Sequence, residues 1–167
     1  MSDETPQAAT DESDEDESMI TPAMEAEIGI LGEPDTMTIN RELVRRMAEA
    51  LDEDSALLAA LEDEEGTPEV PGWALFTYFG RTRQRRLPDA PKRGLMAADE
   101  LTLLAPIRVG DTLTVVSKIA GMNERIGGRV GHALFVDHEW SYTNQDDVEV
   151  ARTRRTVTFF KQKHSGE

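Results

Sequence analysis

The side chains of this 167-residue chain that can move a proton near neutral pH are His132, His138 and His164, together with its many carboxylates. His132 and His138 share one strand parity, but six residues of strand rise set them ~20 Å apart, so they do not meet on one metal or one substrate atom. Each reads either as a lone general base or as a packed residue on the face of Leu134, Val136 and Trp140. His164 falls in a polar C-terminal stretch. Cysteine is absent, which excludes thiol nucleophiles, thiolate metal sites and disulfides together. There is no serine elbow, phosphate loop or paired set of zinc ligands, and no metal site is expected. The glycine-rich stretch Gly127 to Gly131 lies between two strand patterns rather than between a strand and a helix, so it predicts a hairpin turn and not a phosphate cradle. The basic run Arg81, Arg83, Arg85, Arg86, Lys92 and Arg93 suits an anion site for the phosphates of a carried substrate, a docking surface for an acidic partner, or a solvated helix end.

The elements that must position these residues follow from hydrophobic period. Ile39, Leu43, Val44, Met47, Ala50 and Leu51 recur at three- and four-residue spacing and predict a helix with Thr38 as its N-cap. Asp52 to Asp54 interrupt it, and Ser55 caps a second short helix carrying Leu57, Leu58 and Leu61. Glu62 to Pro71 reads as a connector. The run from Trp73 to Phe79 is apolar all round and opens after Pro71, which predicts a helix enclosed by other structure. From Leu95 the period becomes two: Leu101 and Leu103, Leu113 and Val115, Leu134 to Tyr142, and Val157 with Phe159 predict four strands. Their connections, Pro106 to Asp111, Gly121 to Gly131 and Asn144 to Asp147, are short and rich in turn formers, so pairing is expected to be antiparallel. The predicted class is α+β, with an apolar sheet face covered by a buried helix.

Charge is unevenly spread. The chain carries 33 acidic and 18 basic side chains, net −15, which disfavours a free-standing nucleic-acid binder. Met1 to Ile20 hold eight of the acids and no Lys or Arg, so residues 1–25 are expected to form a disordered acidic tail, solvated rather than docked. The domain is expected over 26–161, with 162–167 a flexible C-terminus. No secretory signal or membrane span is read from the sequence, and cytoplasm is the expected location.

The sequence from Leu101 through Pro106-Ile107-Arg108-Val109-Gly110-Asp111 to Leu113, then Phe135 to Asp146 and Val150 to Thr153, resembles the MaoC-like hydratases and dehydratases. It is most similar to their N-terminal, FAS1-like dehydratase half. The resemblance spans roughly Glu27 to Phe160 and implies the hot-dog fold, a curved antiparallel sheet wrapped around a central helix. Active members of that family add or remove water across the Cα–Cβ bond of an acyl thioester, with no cofactor, through a Gly-Asp-x-Asn-Pro-x-His motif. Laid onto this chain, the motif's Asp falls on Glu53, its Asn on Ser55, its Pro on Ala56 and its His on Leu58. Leucine neither takes nor orients a proton, and a glutamate alone does not replace the pair; Glu53 is the remaining candidate, and no catalytic role is carried across. The family glycine whose N–H donates to the thioester carbonyl corresponds to Gly72, with Pro71 where many active members have histidine. Trp73, Phe76 and Phe79 would then border the acyl tunnel, with Arg81 and Arg83 near the substrate's anionic end.

The resemblance therefore implies the motif-lacking, pocket-shaping subunit of a heteromeric enoyl-CoA hydratase or 3-hydroxyacyl thioester dehydratase. Its substrate would be an acyl-CoA or acyl-carrier-protein thioester, and its partner a second MaoC-like hot-dog chain holding the intact Asp and His. The alternatives are a non-catalytic acyl-CoA- or lipid-binding hot-dog module, or a hot-dog thioesterase using Glu53 or Glu49.

Overall fold

A computed structural model describes residues 18–78, 87–127 and 131–160. In chain order these form α1 (Pro22–Glu25), β1 (Asp35–Thr38), α2 (Arg41–Ala50), α3 (Ser55–Glu62), β2 (Glu69–Val70), a 3-10 helix (Gly72–Tyr78), β3 (Gly94–Leu103), β4 (Ile107–Arg108), β5 (Thr112–Ile126), β6 (His132–Thr143) and β7 (Glu149–Phe160). Five strands make one antiparallel sheet in the order β1-β5-β6-β7-β3, and β2 pairs with β4 in a two-stranded ribbon.

The four strands expected from the period of two are β3, β5, β6 and β7. Burial alternates along β6, with Leu134, Val136, His138, Trp140 and Tyr142 all inward. Register carries that face across the sheet, pairing Tyr142 with Val115 and Ala151, and Trp140 with Ser117 and Thr153. Bulges interrupt the ladders between Met96 and Ala98 and between Ile119 and Gly121. By absorbing one residue, the second lets β5 continue to Ile126 where a loop from Gly121 was expected. The Gly127 N–H donates to the Gly131 carbonyl at 3.1 Å, and residues 128–130 between them lie outside the described residues.

Helix boundaries differ from the sequence reading because strand pairing and better acceptors intervene. Thr38 is paired with Thr112 in β1, and Asn40 caps α2 by accepting from the Leu43 N–H at 3.1 Å. Asp54 rather than Ser55 caps α3, accepting from the Ala56 N–H at 3.1 Å. Val44 and Ala48 carry the buried stripe of α2, while Ala50 and Leu51 at its end are exposed. The expected apolar helix after Pro71 is a 3-10 helix of seven residues. With three residues per turn, Gly72 and Leu75 fall on one ridge, fully buried, and Trp73 and Phe76 on the next, half-buried.

The inner face of the sheet carries two apolar clusters. One unites Val44 and Ala48 of α2, Leu61 of α3, and Ala74 and Leu75 of the 3-10 helix with Leu113, Val115, Trp140 and Tyr142 of the sheet. The other gathers Met24, Leu87, Ile119, Leu134 and Val136, with Met19 and Ile20 packed against it. The expected tail boundary therefore moves: residues 18–25 belong to the packed structure. Thr21 caps α1 by accepting from the Met24 N–H at 3.2 Å. Glu124 accepts from the Ile20 N–H at 3.0 Å, from the Ser18 hydroxyl at 3.1 Å and from the Met19 N–H. Met24, Met19 and Ile20 with the Glu124 hydrogen bonds seat this segment, and charge composition gives no sign of it.

Met24 is 1% exposed, so Met24→Ala should lower unfolding free energy by roughly 2–5 kcal/mol in urea titrations, the range for a buried Met emptied to Ala. A loss under about 0.5 kcal/mol would mean that the segment does not contribute to the core.

Candidate functional site

The loop between α2 and α3 is held at both ends. Helix α2 closes with paired hydrogen bonds, Asp52 N–H to the Glu49 carbonyl at 3.3 Å and Glu53 N–H to the Ala48 carbonyl at 3.0 Å. Asp52 takes the left-handed conformation, with φ 54°, that this cap requires. Asp54 then caps α3, so Glu53 is fixed between two capping residues. Its Oε1 accepts a 2.6 Å hydrogen bond from Trp73 Nε1–H. A carboxylate in this bond is already committed to an indole, and the neighbouring hydroxyl of Ser55 donates to Asp54 at 3.3 Å. Leu58, one turn along α3, packs against the larger apolar cluster. Nothing in this loop pairs a base with an orienting group.

Gly72 begins the 3-10 helix hard against the sheet. A Cβ there would lie 2.5 Å from Leu101 Cδ2 and 3.2 Å from Leu103 Cδ1, so glycine lets the helix rest directly on these leucine side chains, which a larger residue would have to push aside. The structure thus brings Glu53, Gly72, Trp73 and Phe76 together around the first turns of that helix, with Leu58 on the core side. Phe79, Arg81 and Arg83 lie outside the described residues, as do Arg85 and Arg86 of the basic run; Lys92 and Arg93 are exposed before β3. An open cleft of about 260 Å³ lies between the β2–β4 ribbon and the end of β3, lined by Val70, Leu103, Leu104 and Ile107 among others.

A second group joins His138 to residues that were not singled out from sequence. Between the two apolar clusters, one row of the inner face reads Ile119, His138, Arg155, Asp99 across β5, β6, β7 and β3. Arg155 makes a two-pronged ion pair with Asp99, at 2.8 and 2.9 Å. Beside it the Tyr142 and Thr153 hydroxyls are 3.3 Å apart. Burial raises the Tyr142 phenol above its ordinary value. The signal for Arg155 was available: it has the parity of Val157 and Phe159, which marks an inward position. His132, at the start of β6, is buried with Nε2 3.4 Å from Glu124 Oε1. Both strand histidines are therefore packed residues, on separate stretches of β6. Among the described residues, no three His, Asp or Glu side chains gather as a metal site, and no helix is long and apolar enough to cross a membrane.

Comparison with known proteins agrees with this architecture. Residues 26–153 match the family model described as FAS1-like, dehydratase domain region. This chain belongs to that family. Among solved structures, it is similar to the C-terminally truncated HadBC (3R-hydroxyacyl-ACP dehydratase) complex from Mycobacterium tuberculosis, with TM-score 0.56 and 19% identity over 79% of this chain and 96% of that one. It is also similar to a MaoC-like dehydratase from Rhodospirillum rubrum, with TM-score 0.56 and 18% identity over 81% of this chain and 94% of that one. The ChsH1-ChsH2 complex from Mycobacterium tuberculosis gives TM-score 0.60 at 13% identity, over 81% of this chain and 86% of that one. No curated protein matches the sequence. The fold is the hot-dog fold, an α+β arrangement in which the covering helix is here the short 3-10 element.

His138 gives a pH dependence. Burial pushes its imidazole down from 6.5 to about 4; Asp137 opposes that shift and Arg155 adds to it. Between those values the unfolded chain binds a proton that the folded chain refuses, so stability is full above pH ~6.5 and is lost as pH falls toward about 4. The loss should amount to roughly 3 kcal/mol in urea titrations across that window, and His138→Leu should remove most of this acid limb. An unchanged limb in the variant would mean that His138 titrates normally.

Proposed function

We propose that this chain is the motif-lacking, pocket-shaping subunit of a heteromeric enoyl-CoA hydratase or 3-hydroxyacyl thioester dehydratase. The observation that carries the reading is the state of the α2–α3 loop: its carboxylate Glu53 is bound to Trp73 at 2.6 Å, and Leu58 occupies the place that the family resemblance gives to histidine. Membership of the dehydratase-region family supports this reaction class, and two similar structures are described as complexes, HadBC and ChsH1-ChsH2. In this reading Gly72 meets the thioester carbonyl, Trp73, Phe76 and Phe79 border the acyl chain, and Arg81 and Arg83 face the anionic carrier. The substrate is an acyl-CoA or acyl-carrier-protein thioester, no cofactor is used, and the setting is cytoplasmic.

The acid and base come from a second MaoC-like hot-dog chain with the intact Asp and His. Strand β3 suits that partnership. It is one of the sheet's two edge strands, its side chains are exposed along nearly its whole length, and Leu95 and Met96 are 65% and 63% exposed. An open edge of this length with apolar side chains is a template for another strand.

Co-expression with such a chain should give a complex that hydrates crotonyl-CoA, and removing the partner's histidine should abolish the reaction. Leu95→Lys combined with Met96→Lys should weaken assembly at least about tenfold, since a charged edge opposes strand addition. Recovery of homodimers alone, with enoyl-CoA binding indifferent to Trp73, would replace this reading with that of a non-catalytic acyl-binding module.

A further inference from the structure

The Glu53–Trp73 contact joins two elements that are each held rigidly from elsewhere. Glu53 stands between the cap that ends α2 and the cap that begins α3. Trp73 follows a glycine whose missing side chain allows the 3-10 helix to rest on Leu101 and Leu103. The backbone on both sides is thus set, and what remains adjustable is the indole's own rotation. The indole is half-buried and packs against the larger apolar cluster. A hydrogen bond to a charged acceptor is short, directional and stronger than a neutral one, and it selects the rotamer that points Nε1 at the carboxylate. Trp73 shares the half-buried ridge of the 3-10 helix with Phe76.

We propose that Glu53 is a positioning residue for Trp73, and that the indole orientation it selects limits the length of acyl chain this subunit admits. The inference rests on the acyl-thioester reading above. In place of chemistry, the carboxylate of the α2–α3 loop sets specificity: with the bond intact the indole stands across the ridge, and with it broken the ring turns away and longer chains fit.

The test uses the full-length chain with two probes, crotonyl-CoA and trans-2-decenoyl-CoA, whose dissociation constants are measured for wild type, Glu53→Ala and Glu53→Gln. The Trp73 indole N–H resonance, assigned by its loss in Trp73→Phe, reports the hydrogen bond directly. Glu53→Ala should move that resonance and shift the ratio of the two constants toward the longer chain by about tenfold, the scale on which apolar pockets discriminate added methylenes. Glu53→Gln, whose amide oxygen still accepts from the indole, should keep both the bond and the wild-type ratio. If Glu53→Ala does not fold, Trp73→Phe removes the same bond from the donor side and should give the same shift. A resonance that stays put in Glu53→Ala, or one that moves while the ratio does not, overturns the positioning role. Failure of wild type to bind either thioester instead overturns the functional reading, and the inference with it.

Discussion

An antiparallel sheet with one apolar face must have that face covered, and here the cover and the sheet meet at Gly72. The 3-10 helix rests on Leu101 and Leu103 so closely that a Cβ at Gly72 would have to displace their side chains. That contact fixes the height of the helix over the sheet, and with it the burial of Ala74 and Leu75 in the larger cluster. Helix α2 then closes the cluster with Val44 and Ala48, which brings the loop at its C-terminus to Trp73. The candidate site is a consequence of how the sheet's inner face is covered.

The same face is divided. A row of His138, Arg155 and Asp99 separates the Trp140 cluster from the Met24 cluster, so the inner surface is two apolar halves with charge between them. Arg155, only partly buried, is held by Asp99 in a two-pronged pair, and the buried His138 is tolerable because it stays neutral down to about pH 4. Asp99 belongs to the edge strand, so the row runs out to the side on which a partner would add. Interior polarity and an open edge occur at the same place.

Much of the fold was legible in the sequence because period-two alternation survives from Leu101 to Phe159, and strands of ten or more residues give the pattern room to appear. The two-residue strands β2 and β4 and the four-residue β1 are too short to show a period, and of β1 only Thr38 was named, as a helix cap. The segment around Met24 was missed because a single buried side chain leaves no periodic trace. At the site, Glu53, Leu58, Gly72, Trp73 and Phe76 were all named from the family resemblance. Their mutual geometry was not, since a hydrogen bond between residues twenty apart depends on how α2 and the 3-10 helix pack.

That this chain shapes a pocket but supplies no acid or base is tested most directly by isotope incorporation. The purified full-length chain is incubated with crotonyl-CoA in H2(18)O, and the 3-hydroxybutyryl-CoA formed is analysed by mass spectrometry, which detects hydration far below the rate that an optical assay follows. The expected result is no label above the protein-free control at any chain concentration, with label appearing once a partner holding the Asp and His motif is added. Label that grows in proportion to the isolated chain, and disappears in Glu53→Gln, would contradict it.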